Sequence, residues 1–414
     1  MAVDDAATRP PRIGWGRSTS LFQLRRPAFW VYATIVASTG VYAWSEQRLF
    51  SQLSPQGWLL SWALLLVYAL PLVIAIYLLD LYEREPISLV VGALVWGAVA
   101  ATVLSALAND GWGLVVARVG GPEFASRWTA ALTAPFVEET MKAAGVVLIY
   151  LIARDEMDDV MDGFVYGAMC GLGFAVVEDV FYFVAIFGGT TGGVLAGFYV
   201  RVVSSGLYGH VLYTALSGMG IASFVSRRGE TTLGRRLALS AALFGAAIAG
   251  HFLWNSPFLN LFPGRVETVG DWLRIPLAAA VKGLPLLLVV VVLVKLARRR
   301  ERMWLEAALR SEVDTPSLTR TELGILLDPH ARRRSRRDMR TRAGDGAARL
   351  LKRLQREQIN LAMVRTRVAS VDDPALVSQR ELCKSLRAGL AAMPGAAAAT
   401  GAIPPAPARS RPPG

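Results

Sequence analysis

About eight apolar runs, each near the ~20 residues a helix needs to cross a bilayer, fill this chain between residues 28 and 297. They cover roughly 28–45, 58–79, 88–108, 129–153, 161–187, 200–225, 236–257 and 275–297. The chain is 53% hydrophobic and only 18% charged, which lies outside the ordinary soluble range. Gathered into blocks of this length, the apolar share decides for an all-α polytopic membrane protein of about eight transmembrane helices. Trp30, Trp44, Trp58, Trp128 and Trp272 fall near run ends, where an aromatic belt would sit. The polar start with Asp4 and Asp5 reads as an anchor's flank and not as a cleaved leader.

Positive charge orients the spans. The N-terminal arginines, Arg84, Arg154, Arg227, Arg228, Arg235, Arg236 and Arg298–Arg300 fall on one side if the N-terminus is cytoplasmic. The other side keeps only Arg48, Arg118, Arg127, Arg265 and Arg274. A multi-pass cell-membrane protein with both termini cytoplasmic is therefore expected. Four segments follow: a basic arm over 1–27, a transmembrane domain over 28–298, a basic and partly helical cytoplasmic tail over 299–393, and an Ala/Pro-rich end over 394–414, expected to be disordered. From Glu301 onward the tail carries 21 Lys and Arg against 12 Asp and Glu. Residues 346–369 have helical periodicity with a charged face. The run Arg332–Arg337, with His330 before it, reads first as a solvated face obeying the positive-inside bias. Contact with anionic lipid head groups is the alternative. Nucleic acid is not expected as a partner, since no aromatic platform accompanies the charges.

Ionisable residues inside the runs carry the functional signal, because a charge at the middle of a membrane helix costs about 2.5–3.5 kcal/mol. Run four holds Glu138-Glu139-x-x-Lys142. Lys142 can pair with Glu138 one turn back, which leaves Glu139 in need of a partner from elsewhere. Run five holds Asp162 and Glu178-Asp179, run six His210 and Thr214, and run seven His251 and Asn255. At 1.5 Å per residue, Glu138, Glu178, His210 and His251 all fall roughly 9–15 Å beneath the outer surface. Gly163, Gly167, Gly171 and Gly173 give run five a small face for close helix packing. Asp179 faces away from Glu178 on a helix and reads as structural. Cys170 and Cys383 are too far apart in the chain and too few to make a disulfide framework or a cysteine zinc site.

Acids and imidazoles at one depth suit hydrolysis. A carboxylate can take a proton from water and return it to a leaving amine. Two histidines and a carboxylate can hold Zn²⁺ with a position open, although a glutamate–histidine mechanism without metal fits the same residues. Ser204 and Ser205 have no activating partners in view. A proton or ion pathway in a transporter, or a scaffold with a polar intramembrane pocket, is the competing class. No convincing pairing of the two halves supports the transporter.

Glu138-Glu139-x-x-Lys142, Phe174-x-x-x-Glu178, His210-x-x-x-Thr214 and His251-x-x-Trp254-Asn255 together resemble the PrsW family of intramembrane proteases. That family is similar to the wider group of CAAX-prenyl-protease-like enzymes. The resemblance covers about residues 60–300. It implies cleavage of a membrane-anchored protein, an anti-sigma factor in the best-known role, as the first cut of a cascade. By position it makes Glu138 and Glu139 the residues that activate water, Glu178, His210 and His251 metal ligands or their partners, and Asn255 the oxyanion donor. Asp179 stands where the pattern leads one to expect asparagine, and Tyr213 where it has tryptophan or phenylalanine.

Overall fold

The computed structural model of the chain describes residues 20–396, apart from 83, 207, 229, 259–265, 267 and 369. Most of the basic arm expected over 1–27, and the end expected to be disordered beyond residue 396, lie outside these residues. The described chain is helical, without a named strand. It divides into two compact units, Arg17–Arg298 and a second one from Arg299 onward.

The first unit begins with α1 (Pro27–Leu53) and α2 (Pro55–Leu79), each opened by a proline whose missing N–H is no loss in the first turn. α3 (Ile87–Val95) runs through a π turn at Trp96–Ala101 into α4 (Thr102–Ile152). α5 (Val160–Phe181) starts on a capping box between Asp159 and Asp162 and ends in a second π turn. α6 (Thr191–Phe198) ends in a third, Tyr199–Val203. α7 (His210–Ser226), α8 (Leu233–Asn255) and α9 (Val269–Leu309) follow.

Among the described residues, five stretches are long and apolar enough to cross a membrane: Pro55–Leu79, Ile87–Ile152, Val160–Ile186, Leu233–Asn255 and Val269–Glu312. The expectation of eight spans changes in three places. The run expected over 28–45 is helix α1 but is not among the five. Ile87–Ile152 is 66 residues, about three times what a bilayer needs, and it breaks at Gly121. That residue has φ 80° and ψ 167°, a left-handed backbone that glycine adopts without a Cβ clash. The run expected over 200–225 is two short pieces, Thr191–Val203 and His210–Ser226.

α5 is the centre of this unit. From Val160 to Phe174 every residue is buried. Its glycine face lies directly on α7, where a Cβ on Gly163, Gly167 or Gly171 would come within 2.2, 2.2 and 2.3 Å of the carbonyl oxygens of Gly218, Thr214 and His210. Contact this close is what small residues allow between membrane helices, and it fixes the start of α7 against the middle of α5.

The second unit builds its own core. α10 (Arg320–Leu326), α11 (Pro329–Arg367) and α12 (Pro374–Ala391) enclose Leu326, Met339, Leu354, Leu361, Leu376 and Leu390. α11 turns at Gly344 (φ 82°) into two halves. The nearly buried Glu312 receives two bonds from Arg380, at 2.6 and 2.9 Å. The segment read as a partly helical tail is a folded helical unit.

Candidate active site

α4, α5, α7 and α8 each bring an ionisable side chain to one place. Lys142 and Glu139 on α4 are fully buried, and Glu138 and His251 nearly so. Lys142 Nζ lies 2.7 Å from Glu139 and 3.6 Å from Glu138. The expected pairing with Glu138 is therefore the looser of the two, because the i,i+3 geometry brings Glu139 closer. The ammonium also sits 4.2 Å above the Phe174 ring, a cation–π contact in a dry setting.

Both imidazoles are oriented by carboxylates. His251 Nδ1 is 3.0 Å from Glu139 Oε1, and His210 Nε2 is 2.9 Å from Glu178 Oε2. An ionised carboxylate only accepts, so each of these nitrogens carries the ring proton. The other nitrogens, His210 Nδ1 and His251 Nε2, keep their lone pairs. They lie 3.8 and 3.9 Å from Glu138 Oε2, a buried oxygen that accepts no hydrogen bond among the described residues. The two rings are 5.2 Å apart, and Tyr213 stacks on His251 at 5.0 Å. Thr214 donates weakly to Glu139 Oε2 at 3.4 Å.

Glu138, His210 and His251 offer ligand atoms all within 4.8 Å of one another. Zinc at about 2.0–2.2 Å from each would need separations of roughly 3.3–3.6 Å, a modest contraction from the 3.8 and 3.9 Å between the imidazole nitrogens and Glu138 Oε2. A carboxylate behind each imidazole is the usual outer partner of a metal-bound histidine. The donor set therefore fits a metal. Glu178, grouped from the sequence with the two histidines as a ligand, is not in this set. Its Oε2 is taken by His210, at 2.9 Å, and by Arg201, at 2.6 Å, and Glu138 is the carboxylate whose oxygen lies close to both free imidazole nitrogens.

Two partners were missed in the sequence. Asn109 on α4 donates from Nδ2 to Glu138 Oε1 at 3.2 Å. Arg201, at the polar start of the run expected over 200–225, joins Glu178 to Asp179 (2.5 Å) and stacks on Tyr182 at 3.6 Å. Asp179 thus shares a cation with Glu178. Asn255 lies one turn beyond His251, and its amide donates to the Ala130 carbonyl at 3.2 Å. The His210 and Glu178 side chains keep 12% and 18% exposure, so access to the cluster lies on their side.

A second acidic group, Asp80, Glu85 and Asp162, gathers near the start of α5. Tyr166 donates to Glu85, and Asp162 accepts the backbone N–H groups of Asp158 and Asp159. Burial first, and then the Asp162 carboxylate, hold the Glu85 carboxyl well above its ordinary range.

Apolar helices long enough to cross a membrane, closed around a buried cluster of two imidazoles and three carboxylates, define a polytopic membrane protein with a polar intramembrane site. The family model described as "PrsW family intramembrane metalloprotease" matches residues 85–296, which hold Glu138, Glu139, Lys142, Glu178, His210 and His251. The chain belongs to that family. Protease PrsW of Bacillus subtilis (strain 168) is 31% identical over 108 residues, 26% of this chain and 46% of that protein. Protease PrsW of Geobacillus kaustophilus (strain HTA426) is 34% identical over 113 residues, 26% of this chain and 45% of that protein. The chain thus spans a little under half the length of these curated relatives. No solved structure matches it.

Proposed function

We propose that this protein is an intramembrane endopeptidase that hydrolyses a peptide bond of a membrane-anchored protein. The observation that carries the reading is the facing pair of imidazole lone pairs, each ring held by a carboxylate and both turned toward the open Glu138 oxygen.

Zinc held by Glu138, His210 and His251 would supply a Lewis acid that polarises the scissile carbonyl and acidifies water. With Glu138 so engaged, the proton acceptor is Glu139, whose Oε2 meets only the weak Thr214 contact. It takes the proton from water and returns it to the leaving amine. Lys142 offsets the charge of the acid pair and stays on Glu139. Lys142 also holds the His210 lone pair at 2.9 Å, so binding of an ion requires that contact to open. Glu178 keeps the His210 tautomer. Asn255 has a second N–H beyond the one given to Ala130, and it serves as the oxyanion donor. By the family resemblance the substrate is a single-span protein of the anti-sigma-factor kind, cut first in a cascade, in a cell membrane with both termini of this chain cytoplasmic.

The test uses the purified chain in liposomes with a tagged single-span substrate. Glu139→Gln and His251→Ala are each expected to lower cleavage by at least about a hundredfold. Unchanged cleavage in both ends the assignment and returns the cluster to an ion pathway or a scaffold. Metal analysis of the purified protein, with His210→Ala as control, reports the zinc question separately from activity.

A further inference from the structure

The first half of α11 sorts the basic run by direction. Arg332 is buried, Arg336 donates to Gln355 at 2.7 Å, and Met339 is fully buried. These face the core of the second unit. His330, Arg333, Arg334 and Arg337 are exposed. Their spacing of i, i+3, i+4 and i+7 puts them in one row on a helix, about 11 Å long.

The row combines close spacing with few counter-charges; Asp328, at the start of the helix, is the acid whose carboxyl feels His330 and Arg334. Five other arginines of the unit pair with acids: Arg380 with Glu312, Arg387 with Glu322, Arg356 with Glu357, Arg340 with Asp345 and Arg320 with Asp314. Among the described residues no carboxylate lies within ion-pair distance of Arg333, Arg334 or Arg337. Three unpaired guanidiniums on one face present forked donors suited to phosphate. No aromatic ring interleaves them, as a single-stranded nucleic-acid platform would require. The unit that carries the row is joined in the chain to the apolar helices through α9, whose apolar part gives way to charge at Arg298, so a lipid surface is one this protein always carries with it.

We propose that His330, Arg333, Arg334 and Arg337 form a docking face for anionic phospholipid head groups. The face binds the leaflet from which α9 emerges, the cytoplasmic one in the orientation proposed above. It recognises surface charge and phosphate, not one lipid species. Proteolysis is not needed for this binding, so the face stands or falls apart from the catalytic reading.

The test is energy transfer between a dye on the full-length protein and headgroup-labelled lipid in nanodiscs. Cys170 and Cys383 are buried, so Thr341→Cys, exposed and one turn beyond Arg337, takes the dye selectively. High transfer is expected in phosphatidylcholine mixed with phosphatidylglycerol, and low transfer in phosphatidylcholine alone. The triple change Arg333→Gln, Arg334→Gln, Arg337→Gln is expected to weaken docking by about a hundredfold at physiological salt, with an unchanged melting temperature. The corresponding triple lysine variant keeps the charge and is expected to keep most of the transfer. Equal transfer in both lipids overturns the proposal, as does a lysine variant that fails as fully as the glutamine one. Loss of transfer on adding inorganic phosphate at constant ionic strength also overturns it, by assigning the row to a soluble phosphate ligand.

Discussion

Lys142 sets the charge balance of the cluster. It is a fully buried ammonium within 4 Å of two carboxylates, and removing it strands both acids in a dry core. Lys142→Met is expected to destabilise the membrane unit by about 3–5 kcal/mol and to abolish cleavage; thermal unfolding in detergent measures the first and the liposome assay the second. Asn109 acts on the same pair more gently. Its amide holds Glu138 Oε1, which leaves Oε2 facing the imidazoles. Asn109→Leu is expected to lower kcat by about 10–100-fold, as the loss of an outer partner does, with KM little changed. Asn109→Asp sets a like charge against Glu138 and should be the worse of the two. Glu138, Glu139, Lys142, His210 and His251 were legible in the sequence because each is costly inside an apolar run, and cost of that kind marks function. Asn109 falls one residue past the apolar run ending near 108, so it reads as a loop residue. Arg201 resembles an interfacial arginine for the same reason. Only the third dimension shows that both reach back to carboxylates.

At the scale of elements, α5 and α7 depend on having no side chain between them. A Cβ on Gly171 would meet the His210 carbonyl at 2.3 Å, and one on Gly163 the Gly218 carbonyl at 2.2 Å. Either alanine forces the helices apart at a cost of about 1–3 kcal/mol. Gly171→Ala also displaces the backbone of His210, so its cleavage rate should fall well below that of Gly163→Ala at matched melting temperature. The spacing of the glycines was legible; their partner was not, because a small face says how close a helix can come but not which helix comes. The break between α6 and α7 escaped for another reason: apolar averaging runs straight across Ser204-Ser205-Gly206, where the helix stops. The connection from α2 to α3 carries its own prediction. Glu85 is raised by burial and by Asp162. The folded state therefore keeps the proton that the unfolded state loses first. Stability should fall as pH rises above the unfolded value of 4.5 toward the folded one. Glu85→Gln retains an acceptor for Tyr166 and removes that cost. Its melting temperature should exceed that of the parent at pH ~8 and converge with it near pH ~5.

Across the whole molecule, the two units were legible to different depths. Membrane spans show themselves as long runs, whereas the core of the second unit is assembled from single residues on four elements, such as Leu309, Leu326, Leu361 and Leu390. Only the stretch 346–369 carried enough periodicity to be read as helix. The division of the chain also separates the consequences of metal binding. A ligand that binds only the folded state stabilises it by RT ln(1 + [L]/Kd), about 2.7 kcal/mol at a hundredfold excess over Kd. All three candidate ligands lie in the unit Arg17–Arg298. In calorimetry of the chelator-stripped full chain, Zn²⁺ should raise the transition of that unit and leave the other where it was. His210→Ala should remove the shift. Equal movement of both transitions, or a shift that survives His210→Ala, would place the ion elsewhere. Cleavage that persists without any shift would leave the acid pair and the imidazoles to act on water directly, with Lys142 as the cation between the two acids.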